Sequence, residues 1–163
     1  IQENVIELNS WEQLLAGDYL TAQRVLLTVG CQALPKFQSW QSRATLFARV
    51  LPKISSLETA IASGFTSDRL IAIRPPISMG TETALWQQWN ISLVVTKASG
   101  KAGGEETKRK VAASLGIPLI VFVVSGAFIP TSLIVLFFKT TPKPKSISAL
   151  IVSPSTTQTF KSL

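Results

Sequence analysis

The sequence predicts an α/β protein with a Rossmann-like, doubly wound parallel sheet of about five strands and helices on both faces. Two observations predict this class. Short apolar runs such as "RVLLTVG" (24–30) alternate with stretches that carry helix start and stop signals. Hydrophobic residues make up 46% of the 163 residues and charged residues 15%, so the chain contains enough apolar side chains to cover a sheet on both sides.

The predicted elements alternate along the middle of the chain. The strands are 24–30, 46–52, 69–73, 91–95 and 117–124, and the helices are 10–17, 55–64, 78–90 and 104–116. In the second of these helices, Ser55 and Glu58 have the spacing of a capping box, and Gly64 marks the end. Because strands that alternate with helices form βαβ units, the sheet is predicted to be parallel.

These elements and the charge distribution divide the chain into three regions. Residues 1–23 form a leading segment with a short helix, 24–124 the α/β lobe, and 125–163 an apolar and basic tail. All nine acidic residues lie before residue 107, whereas the net charge of +7 comes entirely from basic residues beyond residue 106. The first residue is Ile1 rather than a methionine, so we expect the chain to be part of a longer protein.

The stretch that leads into the tail supports an alternative structure. Residues 117–138 contain no charged residue and are long enough to span a bilayer as a helix. Pro118 and Pro130 interrupt the helix pattern, however, and the first part of this stretch is also the fifth predicted strand. We therefore favour the strand, and we expect residues 125–163 to pack poorly on the sheet.

The composition excludes several kinds of site and partner. The chain has no histidine, which rules out a Ser-His-Asp triad and a histidine-based zinc site, and we expect no metal. Cys31 is the only cysteine, so an internal disulfide is excluded, and without a secretory signal we expect a cytoplasmic protein. The basic residues form no patch interleaved with aromatics, so we expect no nucleic-acid partner.

The stretch "TKASGKAGG" (96–104) is the strongest candidate binding loop, because it connects a predicted buried strand to a predicted helix. Thr96 and Ser99 offer hydroxyl donors, and Lys97 and Lys101 offer positive charge. Gly100, Gly103 and Gly104 would let backbone N–H groups approach an anion. The pattern is neither a Walker A loop nor a clean GxGxxG, so it indicates only a phosphate or carboxylate binder.

Other residues near this loop have simpler interpretations. Glu105 and Glu106 are predicted to lie on a solvated helix face, each paired with the base four residues later. The loops 30–32 and 74–78 would share the carboxyl edge of the sheet with 96–104, but taken singly their glycine and prolines are ordinary turn residues.

A family resemblance adds to this reading. The segments that carry it are "RVLLTVGCQALPKF", "LFARVLP", "SLETAIASGF", "DRLIAIRPPIS", "LVVTKASGKAGGEETK" and "LGIPLIV". Their order and spacing over roughly residues 10 to 121 resemble those of precorrin-6A reductases, including the cobalt-precorrin-6A type. The resemblance implies an enzyme of cobalamin biosynthesis that uses NADPH or NADH to reduce an anionic tetrapyrrole bound between two α/β lobes.

The resemblance also implies which residues face the ligands, and it leaves the catalytic residues unknown. The residues implied to face the ligands are Thr28, Gly30 and Gln32, at the loop after the first predicted strand, and Thr96, Lys97, Ser99 and Gly100, at the loop after the fourth. This chain resembles the carboxy-terminal lobe, and the amino-terminal lobe with its Gly-Gly-Thr turn is expected to be missing.

The sequence departs from the family after residue 121, where the family continues with an Arg-Pro pair. A shift of reading frame near residue 122 would explain this departure. The alternatives are a non-catalytic anion-binding lobe and a tail-anchored membrane fragment.

Overall fold

A single parallel sheet forms the centre of the described part of the chain, which is residues 4–123 in this computed structural model. In chain order, its strands are β1 (Val5–Leu8), β2 (Arg24–Thr28), β3 (Thr45–Val50), β4 (Leu70–Ala72), β5 (Leu93–Lys97) and β6 (Leu119–Phe122). Their order across the sheet is β1-β6-β5-β2-β3-β4, and every pairing is parallel. The predicted α/β class with a parallel sheet is confirmed.

Helices cover both faces of the sheet, as predicted. The α-helices are α1 (Trp11–Ala16), α2 (Ile54–Ala62), α3 (Met79–Gln88) and α4 (Glu105–Leu115), and the 3-10 segments are Cys31–Trp40, Ser67–Arg69 and Lys101–Gly103. One core cluster joins the sheet to α1, α2 and the long 3-10 segment, and the other joins it to α3 and α4. In β2, Val25 and Leu27 face the first cluster and Leu26 faces the second, which is why this strand is a continuous apolar run.

Strand β1 was not predicted, so the sheet has six described strands instead of about five. Its sequence "VIEL" is only four residues long, contains Glu7, and has just one buried residue, Leu8. The strand forms through pairing with β6, in which Val5 lies opposite Leu119. An edge strand with one buried face gives a weak local pattern, and the leading segment thus contributes a strand as well as a helix.

The predicted capping box at the start of α2 is wrong. The helix begins at Ile54, and the N-cap is Lys53, which makes no side-chain capping hydrogen bond. Ser55 therefore lies inside the first turn, where its carbonyl oxygen accepts a hydrogen bond from the Thr59 hydroxyl at 2.8 Å. The predicted end is confirmed, because Gly64 follows the helix with a φ of +91°.

Of the candidate membrane segment, residues 117–138, only the first seven residues belong to the described chain. Leu119–Phe122 form β6, a strand buried throughout, so the beginning of the candidate membrane segment is part of the sheet. Residues 124–163, with the rest of that segment and the predicted tail, lie outside the described residues. Within residues 4–123, no helix is long and apolar enough to cross a membrane.

Candidate ligand-binding edge

The predicted binding loops lie at one edge of the sheet, here called the carboxyl edge, because all six strands end there. After β2 the chain adds β3 and β4 on one side, and then returns to add β5 and β6 on the other. The order therefore reverses between β2 and β5. Open α/β sheets bind ligands at such a switch point, and the loops that follow these two strands, from residues 30 and 98, begin beside it.

Thr28 and Thr96 lie opposite each other in the β2–β5 register, immediately before these loops. The Thr28 hydroxyl donates to the carbonyl oxygen of Val95 at 3.4 Å, and the buried Thr96 hydroxyl donates to that of Lys97 at 3.3 Å. Both hydroxyls are thus already hydrogen-bonded within the sheet. The two residues mark the end of the core beneath the switch point.

Lys97 and Gly30 bring the two loops together. Gly30 is exposed and has a φ of +83°, a conformation that favours glycine. A Cβ atom placed on Gly30 would lie 3.9 Å from Nζ of Lys97, so the ammonium group lies beside the Gly30 backbone. Gln32 is exposed at the start of the Cys31–Trp40 segment that follows. The switch point therefore carries a half-buried positive charge next to open backbone.

The backbone amides of Ser99 and Gly100 already have an acceptor. Oε2 of Glu105 accepts hydrogen bonds from the Ser99 amide at 3.0 Å and from the Gly100 amide at 3.2 Å. Its Oε1 accepts from Nε and Nη2 of Arg109 at 3.1 and 2.9 Å. The prediction that Glu105 lies on a solvated helix face is therefore wrong, because its side chain is only 16% exposed and turns back onto the loop.

The network around Glu105 reaches across to the edge strand β1. Nη2 of Arg109 also donates to Oε1 of Glu7 at 2.9 Å. Burial raises the pKa of the Glu105 carboxyl, but the hydrogen bonds from Arg109 and from the Gly100 and Ser99 amides lower it more, so the pKa lies below its ordinary value. Glu105 is thus held in its charged form.

The glycines of the loop serve its own packing. A Cβ atom on Gly103 would lie 1.8 Å from Oγ and 2.2 Å from Cβ of Ser99, so no larger residue fits this turn. Gly100 and Gly104 have φ values of +56° and +70°, which side chains rarely adopt. Gly104 is also the N-cap of α4. These observations explain the glycines without a ligand.

A group of buried charges lies on the α3–α4 side of the sheet and was missed by the sequence analysis. Arg49 of β3 forms an ion pair with Oε1 of Glu82 in α3, and Nε1 of Trp86 donates to Oε2 of the same carboxylate at 3.0 Å. The side chains of Arg49 and Glu82 are only 6% and 2% exposed. A lone arginine within the apolar run "LFARVLP" was the available signal.

Lys108 completes this group, although its place in the run Lys-Arg-Lys resembled a solvated surface. The residue is 1% exposed, and its Nζ donates to the carbonyl oxygen of Gly103 at 2.7 Å. The pKa of Lys108 is lowered to about 8, mainly by burial and also by the nearby charge of Arg49, while Glu82 and Glu105 oppose the shift. The loop is therefore attached to α4 by a carboxylate at one end and an amine at the other.

A metal site or a catalytic centre would require other groups among the described residues. Between residues 4 and 123, no group of three or more Cys, Asp or Glu side chains could hold a metal ion. Each buried polar side-chain atom of the same residues has a hydrogen-bond partner. Loop 74–78 follows β4 at the far side of the sheet, so it is not a neighbour of the switch point. Among the residues near the switch point whose side chains the structure describes, Lys97 offers a ligand positive charge, and Gly30 offers open backbone.

Comparison with known sequences decides the family. A family model described as "Precorrin-6x reductase CbiJ/CobK" matches residues 1–124. This chain belongs to that family. The match confirms the resemblance and extends it over the leading segment that contributes β1.

Individual relatives agree with this assignment. A cobalt-precorrin-6A reductase of Synechocystis sp. is 53% identical over 121 residues, which cover 72% of this chain and 46% of the relative. A cobalt-precorrin-6A reductase of Salmonella typhimurium is 36% identical over 98 residues, which cover 60% of this chain and 37% of the relative. The chain thus spans about half the length, or less, of these curated relatives.

A solved structure shares the fold. The protein "CobK precorrin-6A reductase" matches with a TM-score of 0.61 and 22% sequence identity. The match covers 78% of this chain and 50% of that one. The parallel sheet is therefore an arrangement already known in this family.

Proposed function

We propose that this chain forms the carboxy-terminal lobe of a pyridine-nucleotide-dependent reductase that acts on precorrin-6A or cobalt-precorrin-6A in cobalamin biosynthesis. Family membership over residues 1–124 supports the reaction class. The observation that carries the site is the half-buried Lys97 ammonium beside open Gly30 backbone at the switch point. The second lobe of the cleft would come from the half of the relatives' length that this chain does not match.

Lys97 would bind and orient an anionic group of a ligand. The substrate class carries several carboxylates, and a pyridine nucleotide carries phosphates, so both need positive charge in the cleft. An ammonium group makes charge-assisted hydrogen bonds with either kind of oxygen. Gly30 leaves room for such a group, because, apart from its two neighbours in the chain, a Cβ atom there would have only Nζ of Lys97 within 4 Å. Thr28 and Thr96 lie at the ends of the two strands that lead to this position, and Gln32 follows Gly30 by two residues.

The residues present fit a nucleotide cofactor by charge and by open space at the switch point. NADPH or NADH, when bound, supplies the hydride that is transferred to a ring carbon of the macrocycle. The amides of Ser99 and Gly100 do not fit as phosphate donors in the present arrangement, because Glu105 occupies them. Gly103 and Gly104 would act by shaping the loop. We assign no acid or base to the reaction.

The test is an activity measurement on this chain combined with the amino-terminal half of the Synechocystis relative. We expect NADPH oxidation that depends on added precorrin-6A. Lys97→Ala should weaken binding of nucleotide or macrocycle by about 1–3 kcal/mol, because a charge-assisted hydrogen bond is lost. Lys110→Ala is the matched control, since this lysine of α4 is 62% exposed and pairs with Glu106.

Two results would contradict the proposal. Absence of substrate-dependent oxidation with both halves folded would remove the reductase function. Equal affinities for the wild type and the Lys97 variant, with unchanged melting temperatures, would remove Lys97 from the site.

Binding without turnover is a second candidate, because the switch point offers a ligand the charge of Lys97 and open Gly30 backbone while no acid or base is assigned there. The chain would then bind a phosphate- or carboxylate-bearing ligand at the same edge. Saturable NADPH binding with no oxidation in the combined sample would support this candidate. A cytoplasmic location remains a prediction.

A further inference from the structure

The loop that follows β5, residues 98–104, is held by two oppositely charged side chains from the first turns of α4. Glu105 accepts from the amides of Ser99 and Gly100, at 3.0 and 3.2 Å, in the first half of the loop. Lys108 donates to the carbonyl oxygen of Gly103, at 2.7 Å, in the second half. The carboxylate accepts hydrogen bonds from N–H donors, and the ammonium group donates one to a carbonyl oxygen, so each charge contacts a group of favourable polarity.

These attachments begin two residues after Lys97, whose own backbone pairs with Phe122 of β6. Lys97 is the last residue of β5, and the loop begins at the next residue. The amide of Ala98 still bonds to Phe122 at 2.7 Å, so the chain leaves the sheet at Ser99, where Glu105 takes over. The Glu105 carboxylate therefore contributes to the direction of the chain after Lys97, together with backbone hydrogen bonds from the amides of Gly103 and Glu105 to the carbonyl oxygens of Ser99 and Gly100, each at 3.3 Å. The ammonium group of Lys97 lies beside Gly30 in this arrangement.

Two roles are compatible with a carboxylate on these amides. It could be a stand-in that a ligand anion displaces, or a permanent anchor of the loop. The second role is favoured by the other oxygen of Glu105, which accepts two hydrogen bonds from Arg109, itself bonded to Glu7 of β1. Displacement would move a side chain that is only 16% exposed and would break both sets of contacts at once.

We propose that Glu105 is a positioning residue of the ligand site. Its carboxylate holds the loop at Ser99 and Gly100 so that the Lys97 ammonium lies beside Gly30, and these two amides serve the loop instead of the ligand. The functional part of this inference rests on the proposed role of Lys97. The positioning part concerns the chain without ligand, so it is tested separately.

The test compares Glu105→Ala with Glu106→Ala. Both changes remove an acid from the first turn of α4 and one i,i+4 ion pair, so they have the same effect on the helix itself. Only Glu105 contacts the Ser99 and Gly100 amides among the bonds described for this loop. Glu105→Gln is the third variant, because it keeps the shape and one oxygen acceptor but loses the charge.

The first measurement uses the chain without ligand. Amide hydrogen exchange at Ser99 and Gly100 should speed up by about tenfold in Glu105→Ala, by less in Glu105→Gln, and stay unchanged in Glu106→Ala. Nuclear Overhauser contacts between the Lys97 side chain and Gly30 should disappear in Glu105→Ala only. Unchanged exchange or a retained Lys97–Gly30 contact would overturn the positioning role, whatever the function of the chain.

The second measurement is NMR titration with NADPH and with inorganic pyrophosphate. We expect Glu105→Ala to bind both about tenfold more weakly than the wild type, as loss of the oriented Lys97 contact requires, with partial recovery in Glu105→Gln. Tighter binding by Glu105→Ala would overturn the proposal and identify the carboxylate as a competing stand-in. If the wild type binds neither probe, the proposed function fails, while the exchange measurement still decides the positioning role.

Discussion

Glu105 and Glu106 are neighbours in α4, and each lies four residues before a base, yet they have different roles. Glu106 pairs with Lys110 at 2.8 Å, and both side chains are about 60% exposed, so this pair is a solvated one. Glu105 pairs with Arg109 and also holds two loop amides, with a side chain that is 16% exposed. The i,i+4 spacing predicts both ion pairs, but it does not predict which carboxylate binds the loop at the carboxyl edge.

The helix face explains the difference. Successive helical residues are about 100° apart, so one acid of a pair turns toward the sheet and loop when the other turns toward water. Lys108 and Lys110 show the same contrast, since Lys108 is 1% exposed and Lys110 is 62% exposed. The charged side chains on the inner side of α4, Glu105 and Lys108, thus hold the preceding loop. Those on the outer side, Glu106 and Lys110, pair with each other in solvent.

The largest expected effect is the loss of a buried charge that α3 contributes to the same group as Lys108 of α4. Glu82→Ala should lower the free energy of unfolding by about 3–5 kcal/mol, because it leaves Arg49 buried without its partner and beside Lys108. Urea denaturation measures this change. Glu106→Ala should cost no more than about 0.5 kcal/mol, as exposed ion pairs do. Similar costs for the two variants would contradict the division into inner and outer charges.

A smaller effect is expected for the packing of the loop. Gly103→Ala should cost about 1–3 kcal/mol, because the new methyl group would collide with the Ser99 side chain. Ser99→Gly in the same chain should restore most of this stability, since it removes both atoms that the methyl group meets. Thermal unfolding of the single and double variants measures the recovery. Without recovery, the cost would have another source than this contact.

The smallest effect is the pH dependence of the Glu105 anchor. The pKa of Glu105 is lower in the folded chain than its ordinary value of 4.5, so its charge stabilises the fold above pH 4.5. This contribution is lost as the pH falls through the folded pKa. The stability difference between the wild type and Glu105→Gln, about 1 kcal/mol at neutral pH, should therefore shrink on acidification. Glu106→Gln should have nearly the stability of the wild type at neutral pH. An equal loss of stability in the two variants would contradict the different roles of Glu105 and Glu106.

Much of the fold followed from local patterns. The apolar runs of β2, β3 and β5 are buried on both faces, which gives each a signal that no solvated strand imitates. Strand β1 was missed because its pairing partner β6 lies more than 110 residues away in the sequence. The ten-residue 3-10 segment Cys31–Trp40 was also missed, since Pro35 breaks the helical pattern that its buried aromatics otherwise follow.

The candidate site was predicted in part. Placing the loop at 96–104 and the turn at 30–32 on one edge required only the order of strands and helices, and the structure brings Lys97 and Gly30 together there. The roles of Ser99, Gly100 and Glu105 could not be predicted in this way. The same sequence is compatible with a Glu105 carboxylate that binds the amides of its own loop and with one that leaves those amides free for a ligand.

The sequence by itself determined the parallel α/β class, the edge at which the loops gather, and the family, because periodicity, glycine placement and motif order are properties of neighbouring residues. The tertiary structure decided the sixth strand, the burial of Arg49, Glu82 and Lys108, and the partner of the loop amides. Those features depend on which backbone and side-chain groups meet across separate elements. A charge is stable inside a protein only when such a partner is in reach, and that partner is set by packing, not by spacing along the chain.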